Sequence, residues 1–276
     1  MRRLARHRLA LAGIVVLAGV LVASAAAPWL PLQDPLRQSV RERLQGPSAA
    51  HWLGTDQFGR DLLSRILHGG RLSLGVGLLS VAIGLVAGGG LGLVAGYWAR
   101  LDNAIMRGMD VLLSFPAILL AILVVTIMRP GLLTVIVAVG VRSIPAYARM
   151  VRGAVLAVKH MPYTEAALAL GASHGRTIGA TILPNSFAPI LVFSTLQVAN
   201  NILLAAILSY LGLGVQPPTA EWGIMVSQGR GWLRDAPHVS IVPGLAIFAV
   251  VLACNMAGDG LRDSLDVRLK ESGKGA

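Results

Sequence analysis

The sequence predicts an all-α integral membrane protein with six transmembrane helices. Three observations carry that expectation. Of 276 residues, 55% are hydrophobic and only 13% are charged, whereas soluble domains run about 45–50% apolar and about 25% charged. Mean hydropathy is +0.68. The apolar residues also gather into six long stretches, separated by short polar segments.

Stretch one, Leu9–Ala27, has no charge and follows Arg2, Arg3, Arg6 and Arg8. A secretory signal peptide shares the basic start and small-residue end, but its apolar region usually spans about 7–15 residues. A retained first helix is therefore expected. Stretch two, Leu72–Gly96, repeats Gly84, Gly88, Gly92 and Gly96 on one helix face. Small residues at that spacing let helices approach closely in lipid, and packing within the bundle is the expected use. Stretch three, Val111–Met128, is interrupted by Pro116, and Arg129-Pro130-Gly131 then makes a tight turn. Stretch four reaches Ala148 and contains Arg142 and Pro145. The uncharged run before Arg142 is too short to span, so Arg142 must lie inside the span. Stretch five, Phe187–Tyr210, carries Gln197, Asn200 and Asn201 at helical i, i+3, i+4 spacing. Stretch six, Val239–Ala257, contains Cys254 and Asn255.

The boundaries expected are 1–30 for the amino terminus and first helix, and 31–71 for an outer loop ending in an amphipathic helix through Asp61–Leu67. A five-helix core over 72–257 and a tail over 258–276 complete the chain. Residues 211–238 form a second outer loop, and Arg149–Pro184 a polar inner segment. Positive charge sets orientation. The four amino-terminal Arg place that end in the cytoplasm, and six spans return the carboxyl end there. On this topology 14 of the 24 Lys and Arg lie inside, nine outside and Arg142 within. The six Arg of 31–71 weaken the bias.

Composition excludes several chemistries. A lone Cys254 permits no intrachain disulfide and no cysteine-based zinc site. Six His stand at 7, 51, 68, 160, 174 and 238, no two of them four apart, so the helical zinc spacing is absent. The net charge of +11 reflects basic membrane loops, and no nucleic-acid partner is expected. No phosphate-binding P-loop sequence exists, and no cofactor is expected in this chain. Gly90-Leu91-Gly92-Leu93-Val94-Ala95 matches a dinucleotide fingerprint by letter but sits inside an apolar helix. Gly171-Ala172-Ser173-His174-Gly175 matches the nucleophile elbow of hydrolases. That motif needs a preceding strand and a later acid and His. Glu165–Leu170 reads as helix, and Asp235 and His238 fall across the membrane. An intramembrane serine hydrolase using Ser173 is the weaker alternative.

The inner segment carries the most informative pattern. Glu165-Ala166-Ala167, three residues, Gly171, nine residues, then Thr181-Ile182-Leu183-Pro184 resembles the EAA loop of ABC importer permeases. Thr181 replaces the usual Ile, as in peptide-importer variants that read Ile-Leu-Pro-Asn, here Ile182–Asn185. Independently of the family, Pro162 opens a short helix whose small residues allow close docking, and Gly171 lets the chain turn. His51–Asp61, Tyr210–Pro218, Glu221-Trp222-Gly223 and Gly258–Asp263 resemble the C-type subunit of dipeptide and oligopeptide ABC importers. Ala205-Ala206 stands where several oligopeptide-type relatives carry an acid, which leans toward dipeptides.

The resemblance covers residues 28–270 and implies a type I ABC importer permease of the bacterial inner membrane. It implies four kinds of neighbour: a second homologous permease subunit, two cytoplasmic ATPase subunits, an extracytoplasmic substrate-binding protein, and membrane lipid. ATP would be hydrolysed by those partners, not by this chain. Glu165, Ala166, Ala167, Gly171, Leu183 and Pro184 would form the ATPase contact. Arg142, Gln197, Asn200 and Asn201 are the pathway candidates. An intramembrane Arg costs a few kcal/mol or more, so Arg142 should face the bundle interior or a water-filled path. Its partner would be a peptide carboxylate, or else a backbone carbonyl or a polar side chain such as Asn200.

Overall fold

The computed structural model describes residues 8–265. Helix α1 (Arg8–Ala26) is a nearly unbroken apolar rod. Helix α2 (Leu62–Ile83) passes through a π-helical turn, Gly84–Gly89, into α3 (Gly90–Tyr97). The amphipathic helix expected at Asp61–Leu67 and the second span are thus one continuous helix. Nothing between Arg65 and Leu72 breaks it, and the Asp61 carboxylate caps its start by accepting from the Ser64 amide.

Helices α4 (Ala99–Ser114) and α5 (Ala117–Met128) meet at 90°. This corrects the third stretch, which is not one straight helix: Val111–Ser114 is the end of α4, and only Ala117–Met128 forms α5. Pro116 is the cause. It lacks an amide hydrogen, and it drives Phe115 to extended backbone at φ −84°, ψ 136°. Helix α4 lies against α6 (Leu132–Lys159) through two ion pairs, Asp102–Arg152 and Asp110–Arg149, both 2.5 Å. Among the described residues five helices are long and apolar enough to cross a membrane, and the α4–α5 pair counted as one makes six.

Helix α6 runs eleven residues past Ala148, the expected end of the fourth stretch, because nothing stops it before Met161. There Pro162 opens α7 (Pro162–Ala169) and Met161 is extended. The next helical run begins at His174, with α8 (His174–Arg176), a π turn over Thr177–Ile182 and α9 (Leu183–Tyr210). Pro184 therefore does not end the inner segment. It sits in the first turn of α9, within an unbroken run from His174. Helices α10 (Trp222–Gly229) and α11 (His238–Leu265) finish the described chain.

Close approaches fix the topology. A Cβ added to Gly260 would strike Ala10, and one on Gly13 would lie 2.7 Å from Met256 Cβ. Helices α1 and α11 are therefore antiparallel, and both ends of the described chain share one end of the bundle. The same end carries Tyr97, α4, Lys159 and α7. The glycine ladder performs the packing that its spacing predicts. Cβ atoms at Gly88 and Gly92 would collide with the Ile144 and Ala148 carbonyls, so α2–α3 and α6 touch backbone to backbone.

Residues 31–61 and 211–237 fold together as a cap over the opposite end. Its interior is charged. Arg60 and Arg65, each 1% exposed, flank Asp56 at 2.6 and 3.4 Å. His51 pairs with Asp61 at 3.0 Å. Arg65 donates to the Pro35 carbonyl at 2.9 Å and the Pro218 carbonyl at 3.4 Å, and Arg60 reaches Gln228 at 3.4 Å. Buried Trp222 donates from its indole to the Ile66 carbonyl at 2.9 Å.

Candidate functional site

The inner segment, 160–184, is a short helical platform held at both edges. Its near edge is Thr164, fully buried, whose hydroxyl donates to the Val158 carbonyl at 2.9 Å. At the far edge are Thr177, buried and bonded to the Ser173 carbonyl at 3.1 Å, and Ile182, which packs on Tyr97, Val151, Val155 and Val158. The middle projects outward. Glu165 and Ala166 are exposed, Ala167 is half-buried, and Leu170 is 89% exposed. Met161 and Tyr163 are exposed beside it. Gly171 adopts φ +86°, the left-handed conformation that glycine takes without cost, and a Cβ there would meet open space. Leu183 and Pro184 are exposed at the start of α9. Glu165 stands in the first turn of α7, at the positive end of the helix dipole.

Ser173 does not form a hydrolytic centre. It caps α8, accepting from the Arg176 amide at 3.4 Å. The adjacent His174 is committed to the Tyr97 hydroxyl at 2.7 Å. His238 lies in the cap at the other end of the bundle, 3.2 Å from the Thr55 carbonyl. The segment before Ser173 is helix and turn, not strand.

The four pathway candidates separate. Asn201 is 0% exposed and accepts from the Ser143 hydroxyl at 3.1 Å, joining α9 to α6. Its amide nitrogen has no hydrogen-bond partner among the described residues. Gln197 is also buried, while Asn200 is exposed and donates to the Gln197 oxygen at 3.2 Å. Arg142 is half-buried on α6, and no hydrogen bond or ion pair holds it among the described residues. The Asn200 bond considered from sequence is therefore not made. On the helical wheel Arg142 falls between Val135 and Ala138, which pack on α5, and Arg149, which pairs with α4. That direction points to the α4–α5 break.

This arrangement has no metal cluster among the described residues. It offers long helices, an exposed platform at one end and a cap with a buried charged interior at the other. Residues 80–271 match the model of a family described as the binding-protein-dependent transport system inner membrane component. The chain belongs to that family. Residues 1–47 match the N-terminal transmembrane domain of oligopeptide transport permease C. The chain is thus a multi-pass ABC transporter permease, a membrane subunit that is not itself catalytic.

Curated relatives agree over nearly the full chain. The glutathione transport system permease protein GsiD of Pectobacterium atrosepticum is 49% identical, covering 98% of this chain and 90% of its own. The dipeptide transport system permease protein DppC of Alkalihalophilus pseudofirmus is 44% identical over 98% and 89%. The di/tripeptide permease DppC of Pseudomonas aeruginosa is 43% identical over 97% and 91%. Among solved structures, a chain of the MetNI methionine ABC transporter in an inward-facing conformation superposes with TM-score 0.61 at 21% identity. It covers 72% of this permease and 95% of that chain, which establishes the type I importer fold.

Sequence reasoning missed two features of this permease. One is the buried Asp56 knot in the cap, whose partners are up to 168 residues apart. The other is exposed Leu170, whose neighbours Ala169 and Gly171 gave no signal beyond the EAA spacing.

Proposed function

We propose that this permease forms half of the translocation pathway of an ATP-driven importer for short peptides, dipeptides foremost. The single observation that carries the reading is the platform at 160–184. It is anchored by buried Thr164 at one edge and by buried Ile182 at the other, yet it presents Met161, Tyr163 and Leu170 outward. Exposed apolar residues on a fixed frame are what a partner protein buries.

In this reading an ATPase subunit docks on Glu165, Ala166, Ala167, Gly171, Leu183 and Pro184, and a second ATPase docks on the homologous partner permease. The bundle end shared by Arg8 and α7 is cytoplasmic, in keeping with the arginines at the amino terminus. The cap then faces outward and meets the substrate-binding protein. Exposed apolar residues on α1, α5 and α11, such as Val22, Ile127 and Phe248, face lipid or the second permease. No cofactor is required in this chain. The peptide substrate is inferred from relatives named for dipeptide, di/tripeptide and glutathione transport. Glutathione and dipeptides share a small zwitterionic form with a free carboxylate. Arg142, with no hydrogen bond or ion pair among the described residues, is the candidate pathway cation.

The test is ATP-driven uptake of a labelled dipeptide by vesicles holding the complete complex. Wild type is expected to accumulate the dipeptide only with ATP on the cytoplasmic side. Gly171→Trp is expected to abolish uptake and to weaken ATPase co-purification, because it bulks the platform and strains φ +86°. Uptake of a sugar or metal chelate but of no peptide would overturn the substrate assignment.

A further inference from the structure

We infer that Tyr97 is a positioning residue for coupling: through His174 and Lys159 it ties the docking platform to two of the spans. The inference rests on the importer reading above. Tyr97 is the last residue of α3 and is 5% exposed, while His174, which opens the second helical run of the platform, is exposed. The Tyr97 hydroxyl and His174 Nδ1 stand 2.7 Å apart, and the two rings meet edge to face with centroids 5.6 Å apart. Lys159, the last residue of α6, donates from Nζ to the Tyr97 carbonyl at 2.8 Å and stands over the same ring at 5.6 Å.

The carbonyl that Lys159 reaches is one of those a helix leaves unpaired at its carboxyl end, where a cation is favoured. Three helix ends therefore converge on one side chain: α3, α6 and the run beginning at His174. Ile182 packs in the same cluster, and Thr164 pins the other edge of the platform to Val158 of α6. A push on the platform cannot displace His174 without moving Tyr97 or breaking its bond. Tyr97 in turn cannot move alone, because the Gly92 and Gly96 contacts hold α3 against α6. The histidine of the discarded hydrolase motif thereby has a mechanical role.

The experiment uses the complete purified complex with its ATPases and binding protein. It reads ATP hydrolysed per dipeptide imported, beside basal ATP hydrolysis and subunit co-purification. Tyr97→Phe keeps the ring and removes only the hydroxyl, and His174→Ala removes the other partner from an exposed position. Each is expected to lower transport per ATP about fivefold, the factor a typical net hydrogen bond is worth, with basal hydrolysis and assembly unchanged. The double variant should be no worse than either single variant, since both remove the same bond. His174→Asn, which can still place a polar atom near Nδ1, should restore most of the coupling. Wild-type coupling in Tyr97→Phe, or losses that multiply in the double variant, would overturn the inference. A wild-type complex that hydrolyses no ATP would instead sink the importer reading itself.

Discussion

The cap and the platform lie at opposite ends of one bundle and are built in opposite ways. The cap buries its charges. Asp56, Arg60 and Arg65 are all sealed from solvent, and they link residues 35, 218 and 228 to the head of α2. The platform buries only its edges and leaves Glu165, Ala166 and Leu170 outside. A buried ion network gains specificity of arrangement but tolerates the loss of no member. An exposed helical turn tolerates substitution until something docks on it. The cap is therefore the more tightly interlocked end, and the platform is the end that the proposed function assigns to partner contact.

The largest expected effect follows from the cap. Asp56→Ala leaves two guanidinium groups buried without their carboxylate, and such losses cost about 3–5 kcal/mol. The purified permease should lose folded, monodisperse material on heating far earlier than wild type. An unchanged melting temperature would show that the network contributes nothing to the interlocked end. The smallest expected effect is at the platform. Ser173→Ala removes a long 3.4 Å cap from a helix end that is otherwise continuous with α9. Its cost should fall at or below the low end of cap losses, about 0.5 kcal/mol, and dipeptide uptake should stay at the wild-type level. A dead Ser173→Ala protein with normal stability would reopen the hydrolytic alternative.

The same contrast explains what was legible in the sequence. The apolar stretches and the glycine ladder were readable because one chemical period, every fourth residue, maps directly onto one helix face. The platform was readable from local spacing, and Gly171 at φ +86° gives that spacing its reason. The cap was not, because its pairs are set by tertiary contacts far apart in the chain. The positive-charge count could not separate its arginines: of the six Arg in 31–71, Arg60 and Arg65 are buried around Asp56 and are not free surface charge. Pro116 announced a break in the third stretch, but the 90° angle was not legible, because the Asp110–Arg149 and Asp102–Arg152 pairs that lay α4 on α6 join residues 39 and 50 apart in the chain. Gln197, Asn200 and Asn201 shared a helical spacing, yet packing against α6 buried two of the three.

Leu170→Asp tests the central claim, that the platform couples this permease to an ATPase, most directly. At 89% exposure Leu170 contributes little to the fold of its own chain, so the variant should melt within about 0.5 kcal/mol of wild type. Co-purification of the ATPase and ATP-driven dipeptide uptake are measured on the same preparation. The account predicts that both fall to background while the permease stays folded. Undiminished uptake with the ATPase still bound would contradict it.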